Sequence, residues 1–244
     1  MRSAPLVTDS APCVSFVIPV LNEAARLPEL LTGLRRDFSD CELIVVDGGS
    51  TDESVALAMP LADSVLLSGP GRARQMNLGA ACARGKWLGF LHADTEPDFD
   101  KTALLAALNN DLRWAFCRVS LRGQVRGLGM VSTCMNQRSA LTRIATGDQL
   151  LCVQRSVFEE IHGFCEIPLM EDVEICKRLR KHHRGGLVDL RVVSSGRRWE
   201  QQGLWRTIVR MWGLRLAYYL GVSPTRLWAH YYGKHSVLES RTGQ

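Results

Sequence analysis

Paired cysteines are what this chain conspicuously lacks. Its eight cysteines, Cys13, Cys41, Cys82, Cys117, Cys134, Cys152, Cys165 and Cys176, include no Cys-x-x-Cys. A zinc knuckle or a dithiol redox motif is therefore disfavoured. Most lie inside apolar runs, where cysteine acts as a small buried hydrophobe. Reduced thiols of that kind fit a reducing, cytoplasmic compartment. Uncharged apolar runs of about 18 residues are missing too, so no spanning helix is expected. The opening MRSAPLVTDSAP is too polar to read as a secretion signal. A strong charge is also lacking: 30 Lys and Arg against 25 Asp and Glu leave a net +5. That excess suits anionic ligands or a negative membrane surface and is too small to argue for nucleic acid. With 244 residues, the chain can bury a core without covalent staples.

What is present is an alternation of strand and helix. VSFVIPV (14–20) and ELIVVD (42–47) are continuous apolar runs of strand length,. Between them, Leu27, Leu30, Leu31 and Leu34 recur at helical spacing. STDESVALAM (50–59) reads as a helix, with Ser50 and Glu53 spaced as a capping box,. SVLLS, the helical RQMNLGAACA and the strand KWLGFLHAD follow. Such alternation implies an α/β fold with a mostly parallel sheet flanked by helices. After about residue 98 the pattern loosens, but strands and helices continue to GLVDLRVV (186–193). No linker, repeat or low-complexity stretch divides the chain. One domain is expected over 1–244: a nucleotide-binding half at about 14–97, an acceptor half at about 98–200, and C-terminal helices at about 203–235.

In an open sheet of this kind, ligands bind past the carboxyl ends of the strands. Pro19, Asn22 and Glu23 follow the first strand, Asp47 the second, and His92 and Asp94 the fourth. Each is unremarkable alone; Asp47, for instance, precedes two turn-forming glycines. Together they suggest a nucleotide site. GPGRARQ (69–75) lacks the third glycine of a dinucleotide fingerprint and does not follow the first strand,. A P-loop is absent as well. Arg72 and Arg74 ahead of a helix nevertheless suit phosphates.

These stretches resemble the family-2 glycosyltransferases, and in particular a small, stand-alone bacterial subgroup. The resemblance is carried by VSFVIPVLNEAARLPELL, ELIVVDGGSTDES, GRARQMNLGAACARGKWLGFLHAD and GDQLLCVQRSVFEEIHGF…LMEDVEICKRL, in that order. It implies the GT-A fold, a nucleotide-sugar donor, Mn2+ or Mg2+ as cofactor, and inversion at the anomeric carbon. Pro19, Asn22 and Glu23 match the edge of the nucleoside pocket, and Asp47 the acid that meets base or ribose. Arg72, with Arg74 as the alternative, matches a basic nucleotide contact. Asn77 and Gly79 match an N-x-G in the following helix. Asp94 matches the last acid of the D-x-D metal motif, whose first acid is here His92. Asp94 is thus the expected ligand, and His92 its neighbour and second candidate. Asp172, with Glu171 beside it, matches the general base; on residues alone, two acids there would merely favour a helix N-terminus. Gly147-Asp148-Gln149 matches a motif near the acceptor, where Asp148 would bind sugar hydroxyls.

Two further segments invite readings. Arg197 and Arg198, in a glycine-flanked loop, suit a diphosphate, and Trp199 a stacked sugar. From 204 to 220, Trp205, Ile208, Val209, Trp212, Leu216 and Tyr219 share a helical face near Arg206 and Arg210. That face suits the core, a second subunit, or an anionic membrane at the inner leaflet. The expected partners are a nucleotide-sugar donor, an unidentified acceptor that is lipid-linked or membrane-proximal, and no nucleic acid. Two rival classes remain: a sugar-phosphate nucleotidyltransferase and a non-catalytic nucleotide-sugar binding protein. The first normally has a glycine-rich loop where this chain has PVLNEAAR. The second is kept open by His92.

Overall fold

The structure, a computed structural model, describes residues 12–108 and 111–233. The polar N-terminal stretch up to residue 11, Asn109, Asn110 and residues 234–244, His235 among them, lie outside the described residues.

Strands β1 (Val14–Val20) and β2 (Glu42–Asp47) are buried along their length, with only Pro19 half-buried. Burial on both faces is why they read as continuous apolar runs. Successive side chains point to opposite faces, and the core divides accordingly. Phe16, Ile18, Leu43 and Val45 join Leu27, Leu30, Leu31 and Leu34 of α1 (Leu27–Asp37) on one side. Val17, Ile44 and Val46 pack with Ala73, Met76 and Ala80 of α3 (Arg72–Cys82) on the other. Helix α3 sits so close that a Cβ at Gly79 would overlap the Val17 and Val46 side chains.

The remaining strands are β3 (Ser64–Leu67), β4 (Trp87–Phe90), β5 (Thr95–Pro97), β6 (Trp114–Arg122), β7 (Leu151–Gln154) and β8 (Gly185–Ser195). The eight form one sheet in the order β3-β2-β1-β4-β7-β6-β8-β5. The first four are parallel, as expected. The second half mixes directions: β7 is antiparallel to β4 and β6, β8 is parallel to β6, and β5 is antiparallel to β8. Pairing of β1 with β4 ends at Val17 and Phe90. Pro19, which cannot donate a ladder hydrogen bond, lies past that last rung. Likewise β7 leaves β6 after Phe116. Helix α5 (Leu128–Thr142) then satisfies the exposed strand: Asn136 brackets Val119, accepting from its N–H and donating to its C=O at 2.9 Å each, and Ser132 accepts from Leu121.

Helices α2 (Ser54–Ala58), α4 (Lys101–Leu108), α6 (Arg155–Glu160), α7 (Glu171–His182), α8 (Arg197–Gln202), α9 (Leu204–Tyr219) and α10 (Pro224–Tyr232) complete the fold. Several expectations are corrected. The Ser50–Glu53 capping box does not form, because α2 starts at Ser54 and Ser50 instead accepts from the Asn22 N–H. A capping box does form at Thr146 and Gln149, around the short 3-10 turn Gly147–Gln149. Only four cysteines are buried; Cys13, Cys82, Cys134 and Cys165 are exposed. Burial pushes the Cys152 and Cys176 thiols up to about 12, so they stay protonated and inert,. On α9 the apolar face is split. Thr207 and Leu214 are buried and Ile208 packs on the core, whereas Trp205, Val209, Trp212, Leu216 and Tyr219 face outward.

Candidate active site

The loops after β1 and β2 are laced together. Asn22, held at φ 56°, accepts from the Thr51 N–H at 2.8 Å. The Glu23 N–H donates to Ser54 Oγ and the Ala24 N–H to Asp52. Gln75 of α3 reaches under both loops, donating to the Val20 and Val46 carbonyls at 2.9 and 2.8 Å. Its amide leaves no room for a side chain at Gly48. Asp47 ends β2 in this frame. Its Oδ2 accepts from the N–H groups of Gly49 and Ser50, while the buried Oδ1 has no partner. A buried acceptor held ready in this way is one that a ligand donor can complete.

Past β4, His92, Asp94 and Asp148 converge: one ligand atom from each lies within 4.8 Å of the others. His92 Nδ1 is 3.7 Å from Asp148 Oδ1. The turn carrying Asp148 can approach because Gly147 has no side chain; a Cβ there would overlap the His92 ring. Burial opposes ionisation of Asp148, but the nearby His92 imidazole, with the charges of Arg198 and Arg72, holds its carboxyl below the usual range. Nearby, burial raises the Glu23 carboxyl; Arg197, 3.7 Å away, works against that rise and Asp94 adds to it. Two carboxylates and an imidazole around one point form a donor set that fits a divalent cation whose remaining ligands are phosphate and water oxygens.

Asp172 is the second residue of α7, whose first residue, Glu171, follows Met170, held at φ 72°. Its two oxygens are aimed by backbone: Gly147 N–H donates to Oδ2 at 3.2 Å and Val173 N–H to Oδ1 at 2.7 Å. Burial, reinforced by the charge of Glu171, lifts its carboxyl to about 6. Glu171 is itself buried and lies 3.5 Å from Arg72. That pairing distinguishes the two arginines of the α3 start, since Arg74 turns outward to Glu166 at 3.4 Å.

Other expected residues are placed differently. Asn77 is tied to a distant loop: both ends of its amide hold Phe164, accepting from its N–H and donating to its C=O at 2.9 Å. This clamp uses one N–H and one lone pair of the amide and fixes its position on α3,. Trp199 packs against the core instead of presenting a free stacking face. Arg197 and Arg198 open helix α8 and are not in a loop. Asp148 joins the His92–Asp94 cluster, a place its sequence position did not suggest. The one available hint was the glycine before it.

A mixed sheet with this edge defines the class, a GT-A glycosyltransferase fold. TarS 1-349 of S. aureus, solved in complex with UDP, matches with a TM-score of 0.61 at 15% identity over 75% of this chain and 60% of that one. Mannosyltransferase PcManGT of Pyrobaculum calidifontis, in complex with GDP-Man and Mn2+, matches with 0.59 at 19% identity over 91% and 69%. The profile of glycosyl transferase family 2 matches residues 15–156, and the chain belongs to that family. A PGL/p-HBAD biosynthesis glycosyltransferase of Mycobacterium bovis is 41% identical over 93 residues, 35% of this chain and 36% of that protein. An uncharacterized glycosyltransferase of Haemophilus influenzae is 33% identical over 93 residues, 34% and 36%. The matched segment is thus about a third of the length of these curated relatives.

Proposed function

We propose that the protein is an inverting, metal-dependent glycosyltransferase, moving a sugar from a nucleotide-sugar donor to an acceptor hydroxyl. The observation that carries this reading is that the His92, Asp94 and Asp148 donor set and Asp172 meet at the Gly147 turn. The nucleotide-binding half, the acceptor half and the C-terminal helices act as one unit around it. Asp47 Oδ1 accepts from the nucleoside, and the Pro19–Glu23 loop forms the pocket edge. Arg72, Arg197 and Arg198 face the diphosphate. Bound by Asp94, Asp148 and His92, Mn2+ or Mg2+ would balance charge on the departing diphosphate. Asp172 takes the proton from the acceptor hydroxyl. A carboxyl titrating at about 6 is ionised at neutral pH yet more basic than an ordinary aspartate, as general-base work favours. One base and direct displacement give inversion. Glu171 keeps Arg72 in place and is not itself the base.

The test is a thermal-shift panel of UDP- and GDP-sugars with and without Mn2+, followed by turnover. A ligand at 100 times its dissociation constant adds about 2.7 kcal/mol, a rise of roughly 5–10 °C for a chain of this size. No shift with any donor sinks the proposal. Binding without turnover on any acceptor favours the non-catalytic reading, and release of diphosphate from a nucleoside triphosphate favours the nucleotidyltransferase.

A peripheral membrane location belongs to the same proposal. Among the described residues no helix is long and apolar enough to cross a membrane. Residues 204–233 contain no Asp or Glu but hold Arg206, Arg210, Arg215 and Arg226. On the same segment Trp205 and Trp212 are 69% and 71% exposed. Basic residues beside outward tryptophans suit an anionic interface. The segment is tied to α7 by Lys177, which lies over the Tyr218 and Tyr219 rings at 4.4 and 4.6 Å. A lipid-linked acceptor held at that surface would lie near the helix bearing Asp172.

A further inference from the structure

Arg138, near the end of α5, has no role in the site as described so far. Its side chain is partly buried, and its Nε is fully buried with no hydrogen-bond partner. None of the ion pairs among the described residues involves it. It donates to Ser139 Oγ at 2.7 Å, and that hydroxyl donates to Gln149 Oε1 at 2.8 Å. Gln149 caps the turn whose Gly147 N–H holds Asp172. The guanidinium is therefore fixed to the same scaffold as the proposed base. Burial lowers its pKa, and the charge of Asp172, with those of Tyr219 and Cys176, offsets part of that effect. Those neighbours lie on α7 and α9.

A partly buried guanidinium whose Nε–H is buried and idle is unfavourable unless something supplies the missing acceptor,. In the function proposed above Arg72, Arg197 and Arg198 serve the diphosphate, so a fourth arginine, tied to the turn that holds the base, is left for another group. We infer that Arg138 anchors the acceptor, and that the acceptor carries an oxyanion, carboxylate or phosphate, close to the hydroxyl that Asp172 deprotonates. The planar fork of arginine binds either group through two parallel hydrogen bonds. This inference rests on the reading of Asp172 as the base.

The experiment titrates the full chain by calorimetry with sn-glycerol 3-phosphate, glycerate and glycerol, and separately with UDP or GDP plus Mn2+. The wild type should bind one or both anions and not glycerol; which one binds identifies the oxyanion. Arg138→Gln should lose at least tenfold in that affinity, and Arg138→Lys, which keeps the charge but not the fork, several-fold. Arg198→Gln should keep the affinity, and nucleotide binding should be unchanged in Arg138→Gln. Arg138→Met should melt no lower than the wild type, because it removes a partly buried charge that has no ion pair among the described residues. The inference is overturned if neither anion binds the wild type, if their binding survives Arg138→Gln, if Arg198→Gln alone removes it, or if Arg138→Gln loses the nucleotide. A marked fall in melting temperature in Arg138→Met would mark a structural arginine and overturn it as well. Failure of every nucleotide to bind would refute the donor reading, while the anion titrations would still decide Arg138.

Discussion

Asp172→Asn tests the chemistry most directly, because one substitution should push activity and stability in opposite directions. Asparagine keeps the shape but only one acceptor oxygen, so it retains one of the Gly147 and Val173 hydrogen bonds, as a protonated carboxyl would, and it cannot take a proton,. General-base catalysis is worth roughly 10²–10⁴-fold, and kcat should fall by that factor with donor affinity unchanged. In the wild type, a carboxyl at about 6 is about 97% ionised at pH 7.5 and about 9% at pH 5, so kcat should drop about tenfold across that range. Glu171 lifts this pKa, so Glu171→Gln should shift the acid limb to lower pH while costing less in kcat. For stability the sign runs the other way. The folded-state pKa lies above the ordinary 3.8, so the folded chain holds the proton more tightly. The associated stability is full below about pH 4 and is lost as pH rises through about 6. Asp172→Asn should therefore melt higher than the wild type at pH 7.5, with the difference vanishing at pH 4. The assays are steady-state release of nucleoside diphosphate from pH 5 to 8 and thermal melts at both ends. A kcat within threefold of the wild type, or a lost donor affinity in place of a lost kcat, refutes the assignment.

Four shorter predictions accompany it. Asp94→Asn and Asp148→Asn should each abolish Mn2+-dependent binding of UDP or GDP in calorimetry, His92→Ala should weaken it less, and unchanged binding in Asp94→Asn would remove that residue from the metal site. Gly147→Ala should displace His92 and Asp172 together, costing about 1–3 kcal/mol in a denaturant melt and at least tenfold in kcat/KM; a fully active variant would show that the turn yields freely. Asn77→Ala should destabilise by about 2–4 kcal/mol, because it strands a backbone N–H and C=O of Phe164, and should leave nucleotide affinity intact; lost affinity without lost stability would return it to the nucleotide site. The protein should sediment with anionic vesicles at low salt and release at high salt, and Trp205→Ala with Trp212→Ala should abolish it; no sedimentation would make the α9 face a contact of another kind.

Much of the first half could be read directly from the residues. Continuous apolar runs at 14–20 and 42–47 mean burial on both faces, and that reading requires no partner to be known. The leucines of α1 announce their own stripe. The edge residues Asp47, His92 and Asp94 follow from strand ends alone. Local pattern misled where a side chain had two uses. Ser50 has the spacing of a cap, yet it is taken by the Asn22 loop. Asn77 sits in a helix beside a nucleotide edge, yet the Phe164 backbone, distant in sequence, claims both ends of its amide. The outward half of α9 and its buried half have similar composition, so periodicity could not assign them.

The sequence by itself determined which groups capable of the chemistry exist and which strand ends carry most of them, because strand length, helix period and turn residues are local properties. Which of those groups meet was decided by the tertiary structure. Asp148 reaches His92 only because β7 returns antiparallel beside β4 and the turn before it is thin enough at Gly147 to lie on the imidazole. The Asp172 carboxyl is raised only because α7 begins against that same turn, where burial and Glu171 lift a group that would be ordinary in water. Proximity and desolvation belong to the packed chain, and no window of sequence contains them.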